Sequence, residues 1–381
     1  MKRDNKELIN IKKILWLIGY VPGKIGSFER LMVNFTKECR KRRITFKLIF
    51  PEEPCEQFKT MVSENGGKID VLKFTSRIDP VYIIKLSRIV KKFGPDIIHS
   101  HFDFANFTSI WAQLINPVPC YIWHQHNFAG NRMPFLRKIV FKIASKKAKC
   151  IIAISKSVGK DISDKGMDEK IVHVIYNGID LNLYKIQDAN QLRQDISDKY
   201  GFLKSDFVVG SVSEAREEKG LQYLIEAVSL IKRDGLKLLL VGAKQGPFAE
   251  YIHKKIGELG VADKVICTEF IDNVHQVLSA MDVVVVPSLM EGLSYGALEA
   301  LACGKPVIAS EIGGLREIIE KNKNGLFVKP KDPEAIASAI RNLMDNRLIF
   351  ASLKSNARPS VEHKFSLDGN IVEIFKVYRI S

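Results

Sequence analysis

Short apolar runs alternate with amphipathic stretches along most of the chain. In the first half, the apolar runs predict strands at 11–18, 44–50, 69–74, 97–99, 120–123, 150–154 and 172–175. Between them, helical patterns occupy 29–42, 81–93 and 135–147. Runs that are apolar on both faces favour strands covered by helices on both sides, as in parallel α/β sheets.

A polar, irregular segment at 177–204 interrupts this alternation. The alternation of apolar runs and amphipathic stretches restarts after this segment, with predicted strands at 207–212, 236–241, 265–267, 283–286 and 307–309. We therefore place a boundary near residue 180, between an N-terminal Rossmann-like domain at 1–180 and a C-terminal one at 181–363. We expect the final helix, 364–381, to pack back on the first domain. Open α/β sheets bind ligands at the carboxyl ends of their strands, so two such domains would hold a site in a cleft between them.

Composition narrows the class of protein. The 381 residues are 46% hydrophobic and 27% charged, which excludes a fibre or a disordered chain. The 58 Lys and Arg against 43 Asp and Glu give +15, which favours anionic partners or only solubility. Aromatic residues are not interleaved with the basic runs and no nucleic-acid module is recognised, so we predict no nucleic-acid partner.

Cysteines and apolar runs bear on the compartment. The six cysteines are scattered without a CxxC pair, which fits a reducing compartment better than a disulfide framework. No apolar run approaches the length of a transmembrane helix. Lys12 and Lys13 precede an apolar run that resembles a signal peptide, but the run is short and no small-residue cleavage site follows, so we interpret it as the first strand.

Two carboxylates stand close together in the second half. Glu291 lies in the loop after the strand at 283–286, and Glu299 lies in the helix that follows. A carboxylate accepts hydrogen bonds from vicinal sugar hydroxyls, and free backbone N–H groups near Ser294 and in the Gly313–Gly314 turn suit phosphate oxygens. The alternative is a loop charge and a solvated helix residue. Against it, Glu299 lies among apolar neighbours, where a carboxylate needs a partner.

The stretch 287–319 resembles the family 4 retaining glycosyltransferases, whose fold, GT-B, has two Rossmann-like domains facing each other across a cleft. The signature is a Glu, seven residues and a second Glu, here Glu291 and Glu299, within a PS-x-x-EG…LEA-x-A-x-G-x-PV-x-A…GG pattern. The segments 26–30, 95–101, 152–157, 174–180 and 219–221 also match the family in order. The resemblance spans nearly the whole chain.

This resemblance implies roles for individual residues. Glu299 would bind the ribose hydroxyls of a nucleotide, and Glu291 would contact the donor sugar or the breaking bond. Lys219 would pair with the diphosphate, Gly26 would face the phosphates or the acceptor, and His126 would lie beside the donor sugar. The remaining implied donor contacts are Arg216, Gly292, Leu293, Ser294, Gly313 and Gly314.

The chain also departs from the family pattern. Glu214 stands where the family has an Arg five residues before the diphosphate Lys, and Arg216 is the candidate to supply that charge from a shifted place. Ser27 replaces the second glycine of the first turn. Alternation places His124 on the same side as His126, so either is a candidate for the site. His99 and His101 are weaker candidates for ligand contact.

The first functional hypothesis is a retaining glycosyltransferase that moves a hexose or N-acetylhexosamine from a UDP- or GDP-sugar to a saccharide or lipid-linked acceptor in surface polysaccharide or glycolipid synthesis. The expected mechanism uses no metal and no cofactor, because stabilising the leaving diphosphate falls to Lys219, Arg216 and the Gly313–Gly314 amides. The alternatives are a nucleotide-sugar epimerase on the same fold and a non-catalytic relative that binds nucleotide or membrane.

The segment 132–149 combines an apolar stripe, Phe135, Leu136, Ile139, Val140 and Ile143, with the charges of Arg137, Lys138, Lys142, Lys146, Lys147 and Lys149. Such a helix binds an anionic membrane surface, or packs on its sheet with a solvated basic face. Because many members of the family act on lipid-linked acceptors, the resemblance supports a cytoplasmic protein that is peripheral on the inner face of the membrane.

Overall fold

The computed structural model describes residues 11–73, 79–130, 134–185 and 189–380. Two compact units divide the chain. The first unit is Met1–Gly178 with Asp368–Ser381, and the second unit is Ile179–Leu367.

The first unit contains a parallel sheet of seven strands in the order β3-β2-β1-β4-β5-β6-β7. Its strands are β1 (Lys13–Ile18), β2 (Thr45–Phe50), β3 (Lys68–Val71), β4 (Ile97–His101), β5 (Cys120–Gln125), β6 (Cys150–Ala153) and β7 (Val172–Val174). The helices that follow these strands are α1 (Ser27–Lys41), α2 (Glu56–Glu64), α3 (Pro80–Phe93), α4 (Phe102–Ile115), α5 (Pro134–Lys147) and α6 (Lys156–Asp164).

The last helix of the chain, α16 (Leu367–Ile380), packs on the sheet of the first unit. Phe375 stacks on Phe35 of α1 with 4.9 Å between ring centroids. The indole Nε1 of Trp16, on β1, donates a hydrogen bond of 2.9 Å to the Tyr378 hydroxyl. The end of the chain is therefore joined to the centre of the first sheet.

The second unit contains a parallel sheet of six strands in the order β10-β9-β8-β11-β12-β13. Its strands are β8 (Phe207–Val212), β9 (Leu236–Val241), β10 (Val265–Cys267), β11 (Val283–Val286), β12 (Val307–Ser310) and β13 (Gly325–Val328). Its helices are α7 (Ala189–Tyr200), α8 (Leu221–Leu230), α9 (Ala249–Glu258), α10 (Val274–Ala280), α11 (Tyr295–Ala302), α12 (Leu315–Ile318), α13 (Pro333–Asp345), α14 (Arg347–Ala357) and α15 (Pro359–Glu362).

The predicted α/β class with two Rossmann-like sheets is confirmed. Numbered within its own unit, each sheet runs 3-2-1-4-5-6, the strand order of the Rossmann fold, and the first adds one further strand. The order reverses between β1 and β4 in the first unit and between β8 and β11 in the second. Ligands of such sheets bind at these switch points, beyond the carboxyl ends of the strands.

Some predicted bounds were wrong. Strands β4 and β5 each extend two residues beyond the predicted 97–99 and 120–123, because polar side chains end the apolar runs although the backbone stays in the sheet. Strand β13 and, in the first unit, helices α2, α4 and α6 were not among the elements that we named. Strand β3 ends at Val71, short of the predicted 69–74, and residue 74 lies outside the described residues.

The predicted apolar stripe of 132–149 lies on helix α5, where some of its side chains are buried in the core and others are exposed. Val140 is fully buried in the core, with Phe141 and Ala144, which the predicted stripe did not include. Phe135 and Ile139, by contrast, are 78% and 39% exposed. Residues 131–133 and the side chain of residue 136 lie outside the described part of the chain. Within the described part, no helix combines the length and the apolar character that a membrane crossing needs.

Candidate functional site

Lys219 and Glu291 meet at the switch point of the second unit. Lys219 follows β8, Glu291 follows β11, and these two strands are adjacent and parallel. The Lys219 ammonium donates a hydrogen bond of 2.8 Å to Glu291 Oε2, and the Ser288 hydroxyl donates to the same oxygen at 3.2 Å. The edge of the sheet therefore presents a cation and a carboxylate as a pair.

Close backbone approach fixes the two loops against each other. Gly220, directly after Lys219, has a φ of 68°, and a Cβ atom there would lie 2.1 Å from the carbonyl oxygen of Pro287. Only glycine allows both this conformation and this approach. The position of Lys219 relative to Glu291 thus depends on a glycine contact between neighbouring loops.

The Gly313–Gly314 turn packs against the loop that carries Glu291. The Gly314 amide donates to the Glu291 carbonyl at 3.0 Å, and a Cβ atom at Gly314 would lie 1.9 Å from the Gly292 carbonyl oxygen. The turn therefore requires glycine at this position. It brings the loops after β11 and β12 together.

Helix α11 begins beside the same loop. Ser294 caps it by accepting a hydrogen bond of 3.3 Å from the Ala297 amide, and Leu293, just before it, is buried. Glu299 lies within this helix and is only 8% exposed. It is therefore not the solvated helix residue of the alternative interpretation, and a buried carboxylate is retained at the site.

Arg216 forms an ion pair with Glu214, the residue that replaces the family's arginine. The Arg216 Nε atom lies 2.6 Å from Glu214 Oε2, and the two side chains are 48% and 32% exposed. The charge of Arg216 is thus directed at a carboxylate in this structure. Its exposure leaves the side chain free to reorient, because a solvated pair of this kind is worth little.

The switch point of the first unit contains the turn with Gly26. Gly26 immediately precedes α1, and its amide donates 2.9 Å to Glu29 Oε2. The Tyr20 hydroxyl donates to the other oxygen of the same carboxylate. Ser27 is the first residue of α1, so the replacement of glycine is compatible with the helix start. The Gly26 amide, expected to face a phosphate, is engaged by Glu29 here.

Four histidines line one face of β4 and the end of β5: His99, His101, His124 and His126, hereafter the histidine cluster. The ring nitrogen Nε2 of His99 lies 3.1 Å from Nδ1 of His124, and Nδ1 of His101 lies 3.0 Å from Nε2 of His126. His126 is 5% exposed and the other three are fully buried. The predicted placement of His124 and His126 on one side of the strand is thus observed, with His126 nearer the surface.

Burial determines the charge of the histidine cluster. Desolvation lowers the pKa of His126 to about 3, and it lowers the pKa of His99, His101 and His124 well below the ordinary value, with the neighbouring imidazoles adding to the effect. His126 is therefore a neutral imidazole near pH 7. It can donate or accept a hydrogen bond there, but it cannot supply a positive charge.

Sequence reasoning missed Phe102, which packs against His126. Its ring stacks on the imidazole with 4.3 Å between centroids and 22° between planes. Phe102 has a φ of 69°, a left-handed conformation that is uncommon for a bulky residue and that concentrates at functional sites. No signal in the apolar pattern indicates this, because the conformation arises where β4 turns directly into α4.

Comparison with known proteins places both units in one family. A family model described as Glycosyltransferase Family 4 matches residues 28–183, and one described as Glycosyl transferases group 1 matches residues 193–360. An uncharacterized glycosyltransferase of Methanocaldococcus jannaschii is 32% identical over 235 residues, which cover 61% of this chain and 60% of that protein. The N,N'-diacetylbacillosaminyl-diphospho-undecaprenol alpha-1,3-N-acetylgalactosaminyltransferase of Campylobacter jejuni is 22% identical over 375 residues, 93% of this chain and 96% of that enzyme.

Solved structures agree on the fold. The crystal structure of Anabaena HepE in complex with UDP-glucose superimposes with a TM-score of 0.85 at 24% identity, covering 97% of this chain and 100% of that one. Because the two family models together match most of the chain and both sheets have the expected order, the chain belongs to the group 1 glycosyltransferases of the family 4 type.

Proposed function

We propose that this glycosyltransferase moves a hexose or N-acetylhexosamine from a UDP- or GDP-sugar to a saccharide or lipid-linked acceptor, with retention of anomeric configuration. The observation that carries the proposal is the arrangement at the β8–β11 switch point, where Lys219, Glu291 and the buried Glu299 lie on adjoining segments. The UDP-glucose complex of HepE supports a uridine nucleotide as donor, and the undecaprenol-linked substrate in the name of the Campylobacter relative supports a lipid-linked acceptor.

Each residue has a chemical task in this proposal. Glu299 accepts hydrogen bonds from the ribose hydroxyls, and Glu291 accepts them from the donor sugar. Lys219 gives up its ion pair with Glu291 and binds the leaving diphosphate. It stabilises the negative charge that develops on that group. His126 contributes a neutral hydrogen-bonding group beside the sugar, since burial keeps it uncharged.

The backbone groups complete the donor contacts. The amides at the start of α11, around Ser294, are directed as at any helix N-terminus and suit a phosphate. The Gly314 amide, expected to bind phosphate, donates to the Glu291 carbonyl in the structure, so Gly292, Leu293 and Gly313 are the loop residues proposed to contact the same group. Arg216 adds a second cation once it leaves Glu214. We propose that these groups suffice without a metal, with the departing phosphate accepting the acceptor's proton.

We also propose that the protein binds a membrane surface when it acts on its acceptor. Phe135 and Ile139 are exposed on α5, and Lys138, Lys142 and Lys146 on the same helix are also exposed. Exposed apolar side chains beside lysines fit the boundary of an anionic lipid layer. Sedimentation with phosphatidylglycerol vesicles tests this. We expect Phe135→Ser to reduce binding, and equal binding to neutral vesicles would contradict the electrostatic part.

The test of the main proposal is nucleoside diphosphate release from UDP- and GDP-sugars with and without saccharide acceptors. We expect release with one donor class, dependent on acceptor, and loss of release in Glu299→Ala. Glu299→Gln keeps the side-chain volume and separates loss of charge from loss of packing. Glu258→Ala, at an exposed glutamate of α9, is the matched control. Full activity of Glu299→Ala would remove the assigned role, and donor turnover without acceptor would indicate an epimerase instead.

A further inference from the structure

Three members of the histidine cluster, His99, His101 and His124, have no role in the proposed transfer chemistry. Residues two apart on a strand point to the same face, so His99 and His101 lie together on β4. The sheet register then places His124 of β5 directly opposite His101. Two adjacent parallel strands thus place three imidazoles side by side inside the first unit, where the rings of His99 and His101 stack with 4.2 Å between centroids.

The ring nitrogens of these three residues are close enough to share an ion. One nitrogen from each of His99, His101 and His124 lies within 4.8 Å of the other two. A zinc ion with Zn–N distances of ~2.0–2.1 Å needs ligand nitrogens ~3.4 Å apart, so the set contracts by little more than ~1 Å at its longest edge. Small side-chain rotations accomplish that.

Two of the three rings have a buried nitrogen without a partner. Among the residues that the structure describes, neither His101 Nε2 nor His124 Nε2 has a hydrogen-bond partner, and both atoms are inaccessible to solvent. Each unsatisfied buried nitrogen lowers the stability of the folded chain, because it loses its hydrogen bonds to water without replacement. A bound cation would engage both lone pairs and remove this cost.

The opposite nitrogens of the two β4 histidines are anchored. His99 Nδ1 lies 2.6 Å from the Tyr378 hydroxyl oxygen, and His101 Nδ1 lies 3.0 Å from His126 Nε2. A histidine that binds a metal through one nitrogen donates the other N–H to a neighbouring acceptor, which fixes the ring. Both Nδ1 atoms have a neighbouring polar atom of this kind, and in the tautomer with the proton on Nδ1 the Tyr378 oxygen accepts from His99 and His126 Nε2 accepts from His101, which leaves both Nε2 lone pairs for a metal.

We propose that His99, His101 and His124 form a buried site for one divalent d-block cation, of which Zn²⁺ is the representative. Three imidazoles suit zinc, nickel and copper, whereas magnesium and calcium take oxygen ligands. The site is separate from the β8–β11 donor residues and does not rest on the proposed function. Its consequence is structural: through Tyr378 it connects the ion to α16 and stabilises the docking of that helix on the first sheet.

The experiment measures zinc in the full-length protein after expression in zinc-supplemented medium and dialysis against metal-free buffer. We expect about one zinc per chain by elemental analysis, as for a three-histidine site. His253→Ala, at an exposed histidine of α9, is the control and should keep the wild-type content. His124→Ala should lower the content to less than about a tenth, because a ligand is lost.

A variant that keeps all three ligands tests the anchoring contact. Tyr378→Phe removes the acceptor of His99 Nδ1 and should weaken zinc binding roughly 10- to 100-fold, measured by competition with a chromophoric chelator. Zinc-free wild-type protein, or a zinc content that survives in His124→Ala, would overturn the proposal. If His124→Ala does not fold, the decision rests on the wild-type content and on Tyr378→Phe, and unchanged affinity in the latter would also count against the site.

Discussion

Replacing Glu291 by Gln should tighten the binding of nucleoside diphosphate while it slows transfer. The Lys219 ammonium is 2.8 Å from the Glu291 carboxylate, so a diphosphate must compete with this carboxylate for the same cation. Gln has nearly the same size and keeps an oxygen that accepts from lysine. The substitution therefore removes the competing charge and little else.

The structure sets the size of the effect. The Lys219 and Glu291 side chains are 29% and 11% exposed, so the pair is partly solvated. A low-dielectric Coulomb value does not apply to such a pair, and its worth is at most about 1 kcal/mol. The gain in diphosphate affinity is then up to roughly fivefold. The loss in transfer is larger, since a hydrogen bond to a charged group contributes ~1.5–3 kcal/mol, or roughly a 10- to 100-fold change in rate.

Titration calorimetry with UDP and GDP, and kcat from initial rates, measure the two effects separately. Glu258→Gln on α9 controls for a change in net charge and should leave both unchanged. Weaker diphosphate binding in Glu291→Gln would refute the reasoning. It would mean that Glu291 holds Lys219 in the binding position and does not compete for it.

Three further outcomes follow from single contacts. Glu214→Gln frees Arg216 from its 2.6 Å ion pair, and calorimetry should show roughly two- to fivefold tighter diphosphate binding; unchanged affinity would show that Arg216 does not reach the phosphates. Gly220→Ala should lower the free energy of unfolding in urea by at least ~2 kcal/mol, because of its φ of 68° and the approach of Pro287; a smaller loss would mean that the loops move apart easily. Burial lowers the pKa of Lys305 from 10.5 to about 8, so between these values the unfolded chain binds more protons. The stability of wild type relative to Lys305→Met should therefore rise by up to about 3 kcal/mol from pH 8 to 10.5, and a flat difference would contradict this.

Much of the second unit was predictable because its strands are short, mostly apolar and bounded by polar residues. The bounds of β8 and β11 agree with the predicted 207–212 and 283–286. Since neighbouring parallel strands end at one edge, the meeting of the loops after them also follows from the order of the elements. The pairing of Lys219 with Glu291 does not follow, because it depends on the backbone contact at Gly220.

The first unit was less predictable where polar residues are buried. Histidine and glutamine are polar, so the runs at 97–101 and 120–126 look like strand ends followed by loop. In the structure these residues continue the sheet and form the histidine cluster. The signal in the sequence was the two-residue spacing of His99 and His101 and of His124 and His126. This spacing indicates that each pair lies on one face of a strand. Only the register of β4 against β5 shows that the two pairs lie on the same face of the sheet.

The two cations of the donor region are both paired with carboxylates in the structure: Lys219 with Glu291 and Arg216 with Glu214. When a diphosphate binds Lys219, the carboxylate of Glu291 loses its cation. This loss offsets part of the free energy gained when the diphosphate binds. A nucleotide-sugar brings hydroxyl donors for that carboxylate as well, so it satisfies both partners of the broken pair. Under the proposed roles, the exchange favours the intact donor over the free diphosphate by the value of those hydroxyl contacts. The pairing of Lys219 with Glu291 therefore weakens the binding of free diphosphate, and in this way it assists product release.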